Sequence, residues 1–340
     1  SKSEIEKARK IVAESIGAST GEIFFTSGGT ESNNTALSCA VRDLGIQRII
    51  TSPIEHHCIL HTIEKLEDTN KITKELVKIN PLGEIDMEDL ERLLKNSPEK
   101  TLVSIMHANN EIGTMADLYT IGELCRQYQA LFHTDSIQTI GHFPIDVNKF
   151  YVHFLSGSAH KFHGPKGVGF LYVNSSNLIK PFIHGGGQER NVRGGTENLY
   201  GIIGQAVALK LATDEMEERK KKITEIRAYL KQKLLENVPG VCFHGQQKGE
   251  FLYTVLSVSF PPGPKTDLLL LALDIDGICA SGGSACSSGS DKGSHVISQL
   301  GDKEGRKTIR FSFSHFNTRE EVEYTVEKIA ALFQNSPQPV

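Results

Sequence analysis

The sequence predicts an α/β protein, with a large domain on a mostly parallel mixed sheet followed by a smaller α+β domain. Three observations predict it. Over about the first 200 residues, short apolar runs alternate with helical periods, the rhythm of strands joined by crossover helices. The segments richest in reactive side chains each lie just past a predicted strand, where ligands gather in such sheets. Beyond Tyr200 the rhythm changes to one long helical pattern and then to a mixture of short strands and helices. The expected boundary separates residues 1–215 from residues 216–340.

In order, the chain opens in a helical pattern, with Ile5, Ala8, Ile11, Val12 and Ile16 on one face. Because it begins inside that pattern, a preceding segment is expected. Glu22 to Thr26 reads as a strand, Glu31 to Leu44 as a helix and Arg48 to Ser52 as a strand. His57 to Leu66 is helical, Thr101 to Met106 a strand, Leu118 to Gln129 helical and Leu131 to Thr134 a strand. Apolar runs Val152 to Leu155 and Val168 to Val173 flank a Ser/Gly/His/Lys segment. A helical stretch from about Tyr200 to Glu236 follows. Leu252 to Phe260, Thr266 to Asp274, Gly277 to Ala280, Thr308 to Phe313 and a last helix from Thr318 complete the second domain.

Composition narrows the function. A net charge of -4 argues against a nucleic-acid partner, which would call for a basic stripe. The longest apolar run, Leu268 to Leu273, falls far short of a membrane span, and the charged opening is no signal peptide. Cysteines 39, 58, 125, 242, 279 and 286 form no C-x-x-C, which fits reduced thiols in the cytoplasm. Four of them, 39, 125, 242 and 279, are expected to be buried small hydrophobes.

The chemistry begins at Ser156 to Gly167, S-G-S-A-H-K-F-H-G-P-K-G. Lys161 sits between a strand end and a Gly-Pro turn, a rigid place for an amine that bonds to an aldehyde. Taken alone, it also reads as an ordinary surface lysine. Thr26 to Glu31 runs from strand to glycine turn to helix start, where free amides and the helix dipole favour an anion. Helix capping by Thr30 is the plainer alternative. His56 and His57 with Cys58 suggest a metal only weakly, since adjacent residues seldom converge on one ion and no second ligand pair follows. An aromatic His56 facing a site is the better reading. Asp135 ends a strand and is expected to be semi-buried, needing a cationic or donor partner, or else it caps the next segment. An anion cradle, an aromatic, an acid and an amine at one sheet edge are what pyridoxal 5'-phosphate requires.

With that set assembled, the chain resembles the cysteine desulfurases, the NifS/IscS-like branch of class V aminotransferases among fold-type I pyridoxal-phosphate enzymes. The resemblance runs from about Glu4 to the final helix. It is carried by F-T-S-G-G-T-E-S-N-N (25–34), E-H-H (55–57), H-A-N-N-E-I-G (107–113) and H-T-D-S-I-Q (133–138). It continues in S-A-H-K-F-H-G-P-K-G (158–167), H-G-G-G-Q-E-R-N-V-R-G-G-T (184–196), S-G-G-S-A-C-S-S (281–288) and I-R-F-S (309–312).

The resemblance implies a role for each matching residue. Lys161 would bind the cofactor covalently, Asp135 would pair with its ring nitrogen, Gln138 with its phenolic oxygen, and His56 would stack on the ring. Gly29, Thr30, Ser158 and His160 would hold the phosphate. Thr196 would reach the phosphate of a neighbouring subunit, which implies a homodimer. Asn110 would contact cofactor and substrate, and Arg310 would grip the carboxylate of L-cysteine with its planar fork. The family's N-terminal Ala-Thr-Thr loop has no counterpart in this chain. Its R-S-G-T reads Arg193-Gly194-Gly195-Thr196, and the usual Leu-Glu-Pro after the loop cysteine is absent.

Cys286 lies among Gly and Ser, a composition that predicts an exposed, mobile loop. About a dozen such residues have a root-mean-square span of roughly 20 Å, enough to carry sulfur from cofactor to acceptor. As thiolate, Cys286 is expected to attack the substrate sulfur, leaving alanine and a persulfide. Lys161 would remove the α-proton and His56 would shuttle protons. The persulfide would go to acceptors such as an iron-sulfur scaffold or a thiolation enzyme for transfer RNA, with Cys286 a candidate transient cluster ligand. No resident metal is expected. The rivals are a selenocysteine lyase or other class V enzyme, and a non-catalytic sulfur carrier or scaffold-binding protein.

Overall fold

The computed structural model describes residues 1–96, 98–263, 266–282, 293–301 and 305–334; Cys286 lies outside them. The chain forms two compact units. The first comprises Ser1–Ile79, Ile85–Ala108 and Ala116–Met216, and the second Asn80–Glu84, Asn109–Met115 and Glu217–Val340. A single cut in the sequence misses the two short segments that join the second unit.

The first unit is built on seven strands: β1 (Ile23–Thr26), β2 (Arg48–Thr51), β3 (Thr73–Leu76), β4 (Thr101–Ser104), β5 (Leu131–Asp135), β6 (Phe154–Ser158) and β7 (Gly169–Val173). They lie in the order β1-β7-β6-β5-β4-β2-β3. β7 is antiparallel to both its neighbours, while β6, β5, β4, β2 and β3 pair in parallel. Helices α1 (Lys2–Ser15), α2 (Gly29–Leu44), α3 (His57–Asn70), α4 (Met87–Lys95), α5 (Leu118–Gln127) and α6 (Leu199–Asp214) complete the unit. One sheet face packs Ile50, Val103 and Leu155 in a core shared with α1, α4, α5 and α6. The other packs Ile49, Leu102 and Phe154 in a core shared with α2 and α3. Strands buried on both faces need continuous apolar runs, which is why these pairs are adjacent in sequence. Each such Leu or Ile contributes about 1.5–3 kcal/mol.

Two elements were not among those expected from the sequence. β3, T-K-E-L, is an edge strand of exposed and half-buried residues, with Lys74 3.5 Å from Glu67. Strand β3 therefore lacks the apolar run that marks its neighbours. Helix α4 is short, capped by Asp86 accepting from Asp89 N, and buries only Leu90, Leu93 and Leu94 as apolar side chains.

The long helical stretch after Tyr200 is two helices. Glu215 leaves helical geometry (φ −102°, ψ 9°) between α6 and α7 (Met216–Asn237). α6 buries Ile202, Ala206 and Leu209 in the first unit, whereas α7 buries Ile226, Leu230 and Leu234 in the second.

The second unit has an antiparallel sheet of β8 (Cys242–Phe243), β9 (Val255–Phe260) and β10 (Lys307–Ser312), in the order β10-β9-β8. It packs against α7, α8 (Leu269–Ile275) and α10 (Arg319–Gln334), while the short α9 spans His295–Gln299. Gly277 to Ala280 forms no strand; only Ser281 bridges to Arg310. The segments that come early in the chain are stapled in by hydrogen bonds. Leu252 N donates to Gly113 O at 2.9 Å, and Gln246 Nε2 to Glu84 Oε1 at 2.7 Å.

The expectation for the cysteines is corrected in part. Cys39 and Cys125 are buried, but Cys242 and Cys279 are exposed. Cys242 sits on a two-residue edge strand, and Cys279 follows the left-handed Gly277 that ends α8, so neither has a core to enter. Among the described residues no helix is long and apolar enough to cross a membrane.

Candidate active site

Most of the predicted site residues of the first unit follow the carboxyl ends of β1, β2, β5 and β6. β5 ends at Asp135, which is 5% exposed and thus deeper than the semi-buried position expected. Asp135 Oδ1 accepts from Ile137 N at 3.0 Å and Oδ2 from Asn33 Nδ2 at 2.7 Å. Burial raises its pKa, opposed by these hydrogen bonds and by the charges of His56 and Lys161. Among the described residues no cation forms an ion pair with it.

β2 leads to His56, the half-buried N-cap of α3. Its Nδ1 accepts from Cys58 N at 3.1 Å and lies 3.0 Å from Cys58 Sγ. Asn33 Nδ2 donates to that same sulfur at 3.2 Å. The Asn33 amide therefore links Cys58 to Asp135, a connection that the sequence gives no sign of. Burial pushes the Cys58 thiol up to about 12, so it remains protonated. No group of three or more metal-binding side chains occurs among the described residues.

β6 ends at Ser158, and a 3-10 turn, Ala159–Phe162, carries His160 and Lys161 before His163 turns left-handed at φ 66°. Ser158 Oγ and His160 Nδ1 are 2.9 Å apart. Partial burial, then the charges of Lys161 and Lys166, hold His160 below its ordinary value. Gln138 is half-buried in the turn after β5.

β1 runs into the glycine turn that starts α2. Gly29 is the first residue of α2, and a Cβ there would lie 2.0 Å from Ile137 Cδ1. Gly28 has φ 151°, and a Cβ on it would lie 3.8 Å from Ser158 Oγ. Thr30 is exposed at the helix start, beside the positive end of a 16-residue helix. Ser27 N donates to Glu31 Oε2 at 3.0 Å, and Arg193 Nε to Glu31 Oε1 at 2.9 Å. Those bonds outweigh burial, so Glu31 stays below its ordinary pKa.

Thr196 is exposed and lines a cleft of about 100 Å³ with Phe25, Thr26, Ser27, Glu189 and Arg193. In the segment leading to it, Glu189, Arg190 and Asn191 have φ of 44°, 55° and 65°. Such backbone costs on the order of 1–2 kcal/mol at a residue with a Cβ. Glycine at position 194, where the resemblance expects serine, has a steric reason. A Cβ there would lie 2.7 Å from Gly185 Cα.

Lys161, His56, Asp135, Gln138, Gly29, Thr30, Ser158, His160 and Thr196 all belong to the first unit. Asn110 and Arg310 belong to the second, where Arg310 Nη1 donates to Asn110 O at 2.9 Å. A cavity of about 300 Å³ in that unit, bordered by Leu230, Phe311, Tyr324 and Cys279, includes none of the predicted site residues.

The aminotransferase class V family matches residues 1–325. Cysteine desulfurase IscS of Dictyoglomus turgidum is 40% identical over 338 residues, 97% of this chain and 84% of that protein. A solved NifS-like protein aligns with a TM-score of 0.89 at 36% identity, covering 98% of this chain and 88% of its own. A structure described as SspA in complex with cysteine aligns with a TM-score of 0.79 at 32% identity, over 93% and 88% of the two chains.

Proposed function

The chain belongs to the aminotransferase class V family, and from that premise we propose that it is a pyridoxal-phosphate-dependent cysteine desulfurase of fold-type I. It converts L-cysteine to L-alanine and takes the sulfur as a persulfide on Cys286. The observation that carries the reading is Asp135, a buried carboxylate with two neutral donors and, among the described residues, no ion-paired cation. A protonated pyridine nitrogen is a counter-charge that such a buried carboxylate would hold.

The other residues fit the cofactor too. Amides at the start of α2 with Thr30, Ser158 and His160 would hold its phosphate, Gln138 its phenolic oxygen, and Lys161 would hold it covalently. Thr196 would serve the neighbouring subunit. When bound, the cofactor supplies an electron sink for the pair left at the substrate α-carbon.

The protein's own groups do the rest. Lys161 Nζ, as the free amine, takes the α-proton of L-cysteine. Asp135 keeps the ring nitrogen protonated. His56 Nδ1 is engaged by the Cys58 amide, which leaves proton transfer to Nε2. Asn110 and Arg310 bind the carboxylate. The Cys286 thiolate attacks the substrate sulfur, an S–S bond forms as the C–S bond breaks, and the carbon fragment becomes alanine by gaining one proton at Cβ and regaining one at Cα.

A homodimer is supported by α6. Besides its buried face it exposes Tyr200, Val207 and Leu211, apolar side chains that a second subunit would cover. We place the protein in the cytoplasm, passing its persulfide sulfur to an acceptor such as an iron-sulfur scaffold. Mass spectrometry after exposure to L-cysteine tests the reading. One added sulfur on Cys286 with an equivalent of alanine is expected, and a chain that gains no sulfur on any thiol sinks it.

A further inference from the structure

β1 is an edge strand, and its outward backbone groups are held by side chains where a neighbouring strand would otherwise lie. Ile23 O accepts from Arg9 Nη1 at 2.8 Å. Phe25 N donates to Glu189 Oε2 at 2.8 Å, and two residues on Ser27 N donates to Glu31 Oε2 at 3.0 Å. Each carboxylate is gripped by an arginine fork. Arg9 reaches Glu189 at 2.7 and 3.0 Å, and Arg193 reaches Glu31 at 2.9 and 3.3 Å. Glu189 and Arg193 come from one segment, the one that ends at Thr196.

Edge protection alone does not account for this arrangement. The Arg9 and Glu189 side chains are each 3% exposed, and an apolar pair would cover the edge without burying two charges. Glu189 and Arg190 adopt left-handed backbone, a strain that persists where the surroundings enforce it and that clusters at functional sites. The second pair repeats the first inside the glycine turn, at Ser27, next to the amides that start α2.

We infer that Glu189 and Glu31, each braced by an arginine, are positioning residues that set the backbone from Phe25 to Thr30 for a phosphate. The inference rests on the cofactor reading above. The groups assigned to the ring, Asp135, Gln138 and His56, follow other strands, β5 and β2, and Asp135 meets α2 a turn further on, at Asn33. Disturbing the braces therefore loosens the hold on the phosphate and spares the hold on the ring.

The test compares two ligands, pyridoxal phosphate and pyridoxal, which lacks the phosphate. Each is titrated into the whole chain stripped of cofactor and followed by the absorbance of bound ligand. Glu189→Gln is expected to weaken pyridoxal phosphate by about tenfold or more while changing pyridoxal by less than about twofold. Glu31→Gln, on a less buried carboxylate, shows the same split with a smaller loss, and it decides the matter alone if Glu189→Gln does not fold. Equal losses for both ligands, or no loss for either, overturn the inference. An unaltered protein that binds neither ligand overturns the cofactor reading instead.

Discussion

Ser294 Oγ donates a hydrogen bond to Glu111 Oε2 at 2.5 Å, and Glu111 is buried at 2% exposure. The same hydroxyl caps α9 by accepting from Val296 N and Ile297 N. On the other side of position 286 in sequence, Ser281 exchanges backbone hydrogen bonds with Arg310, whose Nη1 reaches Asn110 O. Adjacent residues 110 and 111 thus anchor the segments before and after Cys286. Glu111→Ala is expected to slow persulfide formation by about 10- to 100-fold, the usual penalty for a misplaced reacting group. Rapid-quench mass spectrometry of Cys286 measures it, and the visible absorbance of bound cofactor stays unchanged.

Two substitutions separate the amine from the thiol. Lys161→Ala is expected to abolish both turnover and the visible absorbance of the lysine-bound cofactor. Cys286→Ala keeps that absorbance and forms no persulfide. Normal sulfide release from L-cysteine by Cys286→Ala would remove that residue from the mechanism.

Gly169→Ala tests how closely β7 approaches the glycine turn. A Cβ there would lie 2.6 Å from Gly157 O and 2.8 Å from Gly28 Cα, backbone on both sides. The expected loss of stability is about 1–3 kcal/mol, as for other overpacked sites. Denaturant unfolding measures that loss, and cofactor retention on dilution should fall with it.

The pH dependence of stability has two limbs with different owners. Burial pushes the Glu55 carboxyl up to about 8, despite hydrogen bonds from Met106 N and Ser52 Oγ. Held protonated in the fold, this group stabilises fully below its ordinary value of 4.5 and loses that contribution as pH rises through about 8. Burial lowers His107 and His153 to about 4 and His133 to about 3, so their contribution falls as pH drops below 6.5. Glu55→Gln should flatten the alkaline limb and leave the acid limb, as read from thermal midpoints between about pH 5 and about pH 9.

Val207→Arg places a charge on the exposed apolar face of α6. Light scattering after size-exclusion chromatography is expected to show half the mass of the unaltered protein. An unchanged mass would mean that this face of α6 is not a subunit contact.

Much of the sheet was legible in the sequence because doubly buried strands must be continuously apolar. The same rule hid β3, whose polar T-K-E-L lies at an edge. The placement of Asp135, Ser158 and Lys161 at or just past strand ends was legible because each follows such a run. The Asn33 amide was not, since it reaches Asp135 from 102 residues away and nothing local marks an asparagine for that task. Glu189 was hidden likewise, its partners Arg9 and Phe25 lying 180 and 164 residues off. Exposure of Cys242 and Cys279 escaped because burial of a thiol depends on whether a core lies behind it, which local composition does not record.

The second unit borrows residues 80–84 and 109–115 from the middle of the larger one. During synthesis those pieces leave the ribosome more than a hundred residues ahead of β9, whose neighbour Leu252 closes on Gly113. The C-terminal part therefore cannot mature as a free-standing module. A fragment beginning at Glu217 lacks its staples and should emerge unfolded or aggregated, and a nascent chain must keep both strips of backbone waiting until the ending of the message is read.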